Sequence, residues 1–217
     1  MRQNLKSKFL FSGLSSGVNF IAPIIILPYI TRTLGIQSYG EYIYIDTIVQ
    51  YMIMFVSLGT LLYGSREVGY SRGDLNKEKQ VFIDILLVRL LCLILLAVGL
   101  LIFIFFEQPP SVLFLILLIN VFTALIDVTY YYQGIGEFKI LAIRGGLVKL
   151  ASMALIFVLI KSKNDINIYA LIMVFSTLLA NLLLFFDLQK RLSKGKYLFN
   201  YFKFKQRVYG ILSLIKI

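Results

Sequence analysis

Val81-Phe-Ile-Asp-Ile-Leu-Leu-Val-Arg89-Leu-Leu-Cys92-Leu-Ile-Leu-Leu-Ala-Val-Gly99-Leu-Leu-Ile-Phe-Ile-Phe-Phe106 is a stretch that no water-facing helix could carry. Its apolar residues run continuously instead of forming one stripe, and it is longer than the ~18 residues needed to cross a hydrocarbon layer of ~30 Å. Five further runs read the same way: Phe9–Ile30, Tyr42–Tyr63, Val112–Tyr132, Leu141–Ile160 and Ile168–Phe186. The chain of 217 residues is 59% hydrophobic and only 15% charged, whereas a soluble domain carries about 25% charged residues to keep its surface wet. The fold expected is an all-α membrane protein built as a six-helix transmembrane bundle. The first run exceeds the apolar core of a secretory signal peptide, and no small-residue cleavage site follows it. None of the runs resembles the ~10-residue alternating strands of an outer-membrane barrel.

The net charge of +11 would suit a nucleic-acid binder until it is mapped. Seventeen of the 22 Lys and Arg fall in the N-terminus, in Gly64–Gln80, in Gln133–Arg144 and after Phe186, whereas Arg32, Lys161 and Lys163 are the only ones in the alternate connections. This asymmetry is a positive-inside signal. It places the chain in the cytoplasmic membrane with both termini cytoplasmic, and gives anionic lipid, not nucleic acid, as the partner of the basic segments. There is no histidine, and Cys92 is the single cysteine. No metal site, disulfide or cofactor is therefore expected, and Cys92 reads as a small buried hydrophobe.

Polar residues inside the runs recur at offsets of three, four and seven. Ser12, Ser16, Asn19 and Pro23 share a face of the first run, and Asp46, Gln50, Ser57, Thr60 and Gly64 one of the second. Asn120, Thr123, Asp127 and Tyr131 do so in the fourth, and Gly145, Gly146, Lys149 and Ser152 in the fifth. Such stripes face protein or water and not lipid, although small residues alone are also what tight helix packing uses. Arg89 and Lys149 each lie eight residues past the inner end of their spans, about 12 Å deep. A cation at a helix centre costs roughly 2.5–3.5 kcal/mol on insertion scales. Two readings follow. Arg89 and Asp127 form a structural ion pair while Lys149 snorkels, or Arg89 and Lys149 line a watered cavity that attracts an anion. Pro23 and Pro28 predict a kink or break in the first helix. Tyr29, Tyr39, Tyr42, Tyr63, Tyr130 to Tyr132 and Tyr169 lie near span ends, where an aromatic belt is the default.

Three short motifs carry a resemblance. They are Ile24-Ile-Ile-Leu-Pro-Tyr-Ile-Thr-Arg-Thr-Leu-Gly35 followed by Tyr39-Gly40, then Ser65-Arg66-Glu67, and Tyr131-Tyr-Gln-Gly-Ile-Gly-Glu-Phe-Lys139 with Ala142 and Arg144. From about Leu5 to Asp187 the chain resembles the N-terminal lobe of the bacterial polysaccharide flippases, the O-antigen and capsule repeat-unit exporters of the multidrug/oligosaccharidyl-lipid/polysaccharide transporter superfamily. The resemblance implies one lobe of a two-lobe transporter. Its cargo would be an undecaprenyl-pyrophosphate-linked oligosaccharide, moved by alternating access for surface polysaccharide assembly. It also implies that a missing C-terminal lobe or a second copy completes the cavity. Residues 1–187 then form the six-span lobe. Residues 188–217 are a basic cytoplasmic or interfacial linker, whose apolar end at Val208–Ile217 reads as the start of a seventh helix. The phosphate-facing candidates are Arg89 and Lys149, with Asp127 holding or releasing one of them and Asn19, Gln50 and Asn120 as polar liners. A cation-coupled drug exporter of the same superfamily and a non-transporting one-lobe scaffold are the alternatives. A membrane-embedded transferase would need clustered acids for a metal, and the eleven acidic residues here are scattered.

Overall fold

A computed structural model describes residues 24–106, 111–193 and 195 of this all-α membrane protein. Its helices are α1 over Ile24–Thr33, α2 Ile36–Ser57, α3 Thr60–Ser71, α4 Leu75–Phe106, α5 Val112–Ile126, α6 Thr129–Gly134, α7 Phe138–Leu159 and α8 Ile166–Leu192. Among the described residues, four stretches are long and apolar enough to cross a membrane: Ile36–Ser71, Leu75–Leu101, Phe138–Leu159 and Lys163–Leu192. The α1 and α5 helices are shorter apolar ones. Ser12, Ser16, Asn19 and Pro23 lie outside the described residues, as does the aromatic, basic stretch after Gly195.

Three expectations are corrected. The polar Gly64–Gln80 segment is not a loop. The α3 helix runs to Ser71 and α4 begins at Leu75, capped by Asp74, whose Oδ1 accepts the Asn76 and Lys77 amides at 3.1 and 3.3 Å. The Lys77 amide and ammonium together hold the exposed Asp74 carboxyl below its ordinary range. With 32 residues, α4 is about 48 Å long at 1.5 Å per residue, so its polar first turns extend beyond a ~30 Å hydrocarbon layer. The first helix is not broken at Pro28, through which α1 runs on to Thr33. The interruptions lie elsewhere, at Leu58–Gly59 between α2 and α3 and at Asp127–Val128 between α5 and α6. Nor do Tyr42, Tyr169 and Tyr130 to Tyr132 join a lipid-facing belt, since all five are buried, whereas Tyr29, Tyr39 and Tyr63 are half-buried.

The chain packs as two compact units. In the one made of 24–49, 111–120 and 137–180, the Tyr29 hydroxyl donates to the Ile160 carbonyl at 2.6 Å, and its ring lies 4.7 Å from Phe157. Tyr39, Tyr42 and Tyr169 pack together, with Tyr42 and Tyr169 edge-on at 4.8 Å, a favoured aromatic arrangement. The turn into α8 is set by Asp165, whose Oδ2 accepts the Lys161 and Ser162 amides.

The other unit comprises 50–106, 121–136, 181–193 and 195, and α4 runs along it. Val81, Ile85, Val88, Arg89, Cys92 and Leu93 are buried, while Leu90, Leu91, Ile94, Leu95, Val98 and Leu101 are exposed. The buried set recurs at offsets of three, four and seven, which is one face of a helix. The other face is apolar yet exposed, as a lipid-facing surface must be.

Candidate functional site

Arg89 belongs to that buried α4 face and is 2% exposed. It meets a side-chain hydroxyl at one helix interruption and main-chain carbonyls at another. At the first, Leu58 and Gly59 take positive φ values of 24° and 67°, a conformation glycine adopts without steric cost, and the α2 helix ends. Thr60, fully buried at the start of α3, donates its hydroxyl to the Ser57 carbonyl and accepts Arg89 Nε at 2.9 Å. At the second, α5 ends at Ile126 with its last carbonyls lacking intrahelical partners, as at every helix end. Arg89 Nη1 donates to the carbonyls of Ala124, at 2.8 Å, and Asp127. A cation at a helix C-terminus also meets the negative end of the macrodipole. The Tyr130 ring completes the setting, its centroid 5.3 Å from the guanidinium carbon.

The structure thus brings Arg89 and Asp127 together, but through the backbone oxygen of Asp127. Among the described residues its carboxylate serves the chain locally, Oδ1 accepting the Thr129 amide at 2.9 Å as α6 begins. Lys149 is half-buried on α7 in the first unit, and its carbonyl accepts the Ser152 hydroxyl. Asn120, also in the first unit, is buried on α5, while Gln50 is exposed on α2 in the second. Asn19 lies outside the described residues.

Around Arg89 the second unit joins Gly64 and Tyr131, which the polar stripes had marked, to Glu78, Asp187 and Arg191, which sequence patterning missed. Three consecutive tyrosines of α6 each anchor a different element. Tyr130 lies against Gly64 of α3, where an added Cβ would come within 2.5 Å of its ring and 2.7 Å of Ile85. The Tyr131 hydroxyl donates to Glu78 Oε2 at 2.7 Å, and Oε1 of this buried glutamate accepts the Gly73 amide at 3.0 Å. The Tyr132 hydroxyl donates to Asp187 Oδ2 at 2.6 Å, which also accepts Arg191 Nε at 2.9 Å, and the Arg191 guanidinium covers the Tyr132 ring at 5.4 Å. Lys79 Nζ reaches the Gly195 carbonyl at 2.7 Å. Gly134, which ends α6, sits so close to α3 that a Cβ would be 2.6 Å from the Ser65 carbonyl oxygen and 2.9 Å from Val68 Cβ. Two of the sequence motifs, Ser65-Arg66-Glu67 and the segment after Tyr131, therefore pack on each other, and their glycine is needed for that contact.

Glu78 and Asp84 are both buried on α4. Glu78 falls in the Gly64–Gln80 connection of the sequence, but its position continues the Val81, Ile85 and Val88 face one turn earlier. That spacing was the available signal. Among the described residues no group of three or more His, Cys, Asp or Glu is placed to hold a metal.

The profile of a family described as Polysaccharide biosynthesis protein matches residues 5–214. A protein of Shigella dysenteriae named "Putative O-antigen transporter" is 30% identical over 166 residues, covering 75% of this chain and 41% of that protein. A protein of the same name from Escherichia coli (strain K12) is 24% identical over 184 residues, covering 83% of this chain and 44% of its own length. The chain thus matches less than half the length of either relative. No solved structure matches.

Proposed function

The chain belongs to the polysaccharide biosynthesis protein family, and from that premise we propose that it is one lobe of a transporter carrying lipid-linked oligosaccharide repeat units across the cytoplasmic membrane. The cargo class proposed is an undecaprenyl-pyrophosphate-linked oligosaccharide. The support is the pairing of a multi-pass membrane helix bundle with two relatives named as O-antigen transporters. The partners proposed are the lipid-linked oligosaccharide, membrane lipids, and a second lobe or a second copy to close the cavity. Both termini are proposed to be cytoplasmic, on the 17-to-3 division of basic residues between alternate connections.

The physical problem is to move a diphosphate and a sugar chain through hydrocarbon. A fixed cation in a hydrated cavity offsets the desolvation of the diphosphate, while the lipid tail stays in the bilayer. Lys149 is the proposed phosphate-facing cation, because it is half-buried beside two glycines that leave open space, Gly145 and Gly146. Arg89 already spends Nε and Nη1 on Thr60, Ala124 and Asp127, so its proposed part is to hold the helix ends of its own unit. Asn120, Gln50 and Asn19 are the proposed polar liners.

The test is complementation in a strain lacking its own repeat-unit transporter, with surface polysaccharide and inner-leaflet lipid-linked precursor both measured. A charged hydrogen bond is worth ~1.5–3 kcal/mol, so Lys149→Gln should lower export roughly tenfold to a hundredfold while Lys149→Arg retains it. Normal export by Lys149→Gln at ordinary membrane abundance would show that this cation does not recognise the cargo.

A further inference from the structure

Both interruptions of the apolar helices in the second unit, Leu58–Gly59 and Asp127–Val128, have a donor from the same side chain. We infer that Arg89 is the shared pin of two helix joints, so that the bend between α2 and α3 and the bend between α5 and α6 move as one element. The inference concerns the motion of this chain's own helices and does not rest on the cargo proposed above.

A helix interruption frees carbonyls, and in a membrane protein each must find a donor or water. Water is scarce here, since Thr60 is fully buried and Arg89 is 2% exposed. The first joint is closed by the Thr60 hydroxyl on the Ser57 carbonyl, with the same oxygen held by Arg89 Nε at 2.9 Å. The second is closed by Arg89 Nη1 on the Ala124 and Asp127 carbonyls. Nε and Nη1 belong to one planar, rigid guanidinium. They cannot be displaced independently, so a change at either joint is transmitted to the other or breaks hydrogen bonds of the guanidinium. Tyr130 supports the arrangement from the α6 side, its ring between the guanidinium and Gly64. A lysine at position 89 would present a point charge on a flexible stem and could not hold both joints in one geometry.

The direct contact of α3 with α6 at Gly134 offers a rival route between the joints, and the experiment separates the two. Amide hydrogen exchange is measured by mass spectrometry on the full chain in lipid nanodiscs, for wild type, Thr60→Val, Thr60→Ser, Arg89→Lys and the Thr60→Val/Arg89→Lys double variant. Thr60→Val removes the acceptor of Nε and leaves both Nη1 bonds formally intact. Thr60→Val loses two hydrogen bonds of ~1 kcal/mol each, so exchange is expected to rise roughly thirtyfold around residues 57–61, and about fivefold around residues 127–131, which feel only the loss of the Nε bond. Thr60→Ser, which keeps the oxygen, should match wild type at both. Arg89→Lys should raise exchange at both joints, and adding Thr60→Val to it should raise residues 127–131 no further. Exchange raised by Thr60→Val at 57–61 alone would overturn the inference, because the joints would then be independent. An equal rise at 127–131 with and without Arg89 would overturn it too, since the α3–α6 packing would then be the link. If Arg89→Lys fails to insert, the Thr60→Val and Thr60→Ser pair still decides whether the joints are coupled.

Discussion

Replacing Gly134 by alanine adds one methyl group where the main chain leaves no room for it. The new Cβ would lie 2.6 Å from the Ser65 carbonyl oxygen and 2.9 Å from Val68 Cβ. The first of these is backbone, held inside α3, and cannot swing aside as the end of a side chain would. Forcing an extra methylene into a packed site costs typically 1–3 kcal/mol. Against it stands the intrinsic gain of alanine over glycine in a helix, about 1 kcal/mol, which is available because Gly134 has no positive φ. Because the obstacle is main chain, the cost belongs to the upper part of that range, about 2–3 kcal/mol, and the net expectation is a loss of about 1–2 kcal/mol, or roughly 2–8 °C in the unfolding midpoint for a chain of this size. Gly146→Ala supplies the control. Its Cβ would meet nothing within 4 Å, so only the propensity gain remains and the midpoint should hold or rise. The protein carries its own probe, since Cys92 is the single cysteine and is buried beside Val88, Leu58 and Tyr63. A thiol-reactive fluorophore therefore reports unfolding directly in detergent. A Gly134→Ala midpoint equal to or above that of wild type, with Gly146→Ala unchanged, would refute the claim that α3 and α6 are locked by this contact.

Three further outcomes are expected. In a Cys92→Ala background, cysteine placed at Lys163 should react with a membrane-impermeant maleimide from outside intact cells, and cysteine at Arg72 only after permeabilisation; the reverse pattern would end the proposed topology. Tyr131→Phe breaks one buried hydrogen bond and Glu78→Ala breaks that one and the bond from the Gly73 amide, so the losses should be about 1 kcal/mol and about 2 kcal/mol; strictly additive losses in the double variant would show that the two side chains are not partners. Asp74 has its carboxyl held low by Lys77, so its cap is present above the ordinary carboxylate range near pH 4 and is lost as pH falls through the lowered value. Wild type and Asp74→Asn should thus differ in unfolding midpoint at neutral pH and converge in acid, and a difference that grows as pH falls would contradict the sign.

Residence in the membrane could be read directly from the sequence, because only long uncharged helices satisfy their backbone in hydrocarbon, and the Val81–Phe106 run leaves no other choice. The periodic polar stripes likewise turned Asn120, Thr123 and Ser152 toward protein or water, and all three are buried, whereas Gln50 of the second stripe is exposed. The facing of α4 was much less legible, since an all-apolar helix shows no moment by which core and lipid sides could be told apart. The charged residues Asp84 and Arg89, both buried, marked its inner face. What Arg89 meets depended wholly on the tertiary structure. Thr60, Ala124 and Asp127 stand 29, 35 and 38 positions away in the chain, and two of the three offer main-chain carbonyls, which every residue possesses and no sequence pattern distinguishes. Sequence reasoning looked for a carboxylate because charge pairs with charge. The fold instead interrupts two helices within reach of one guanidinium, and the exposed ends of a helix dipole serve a cation as well as an aspartate would.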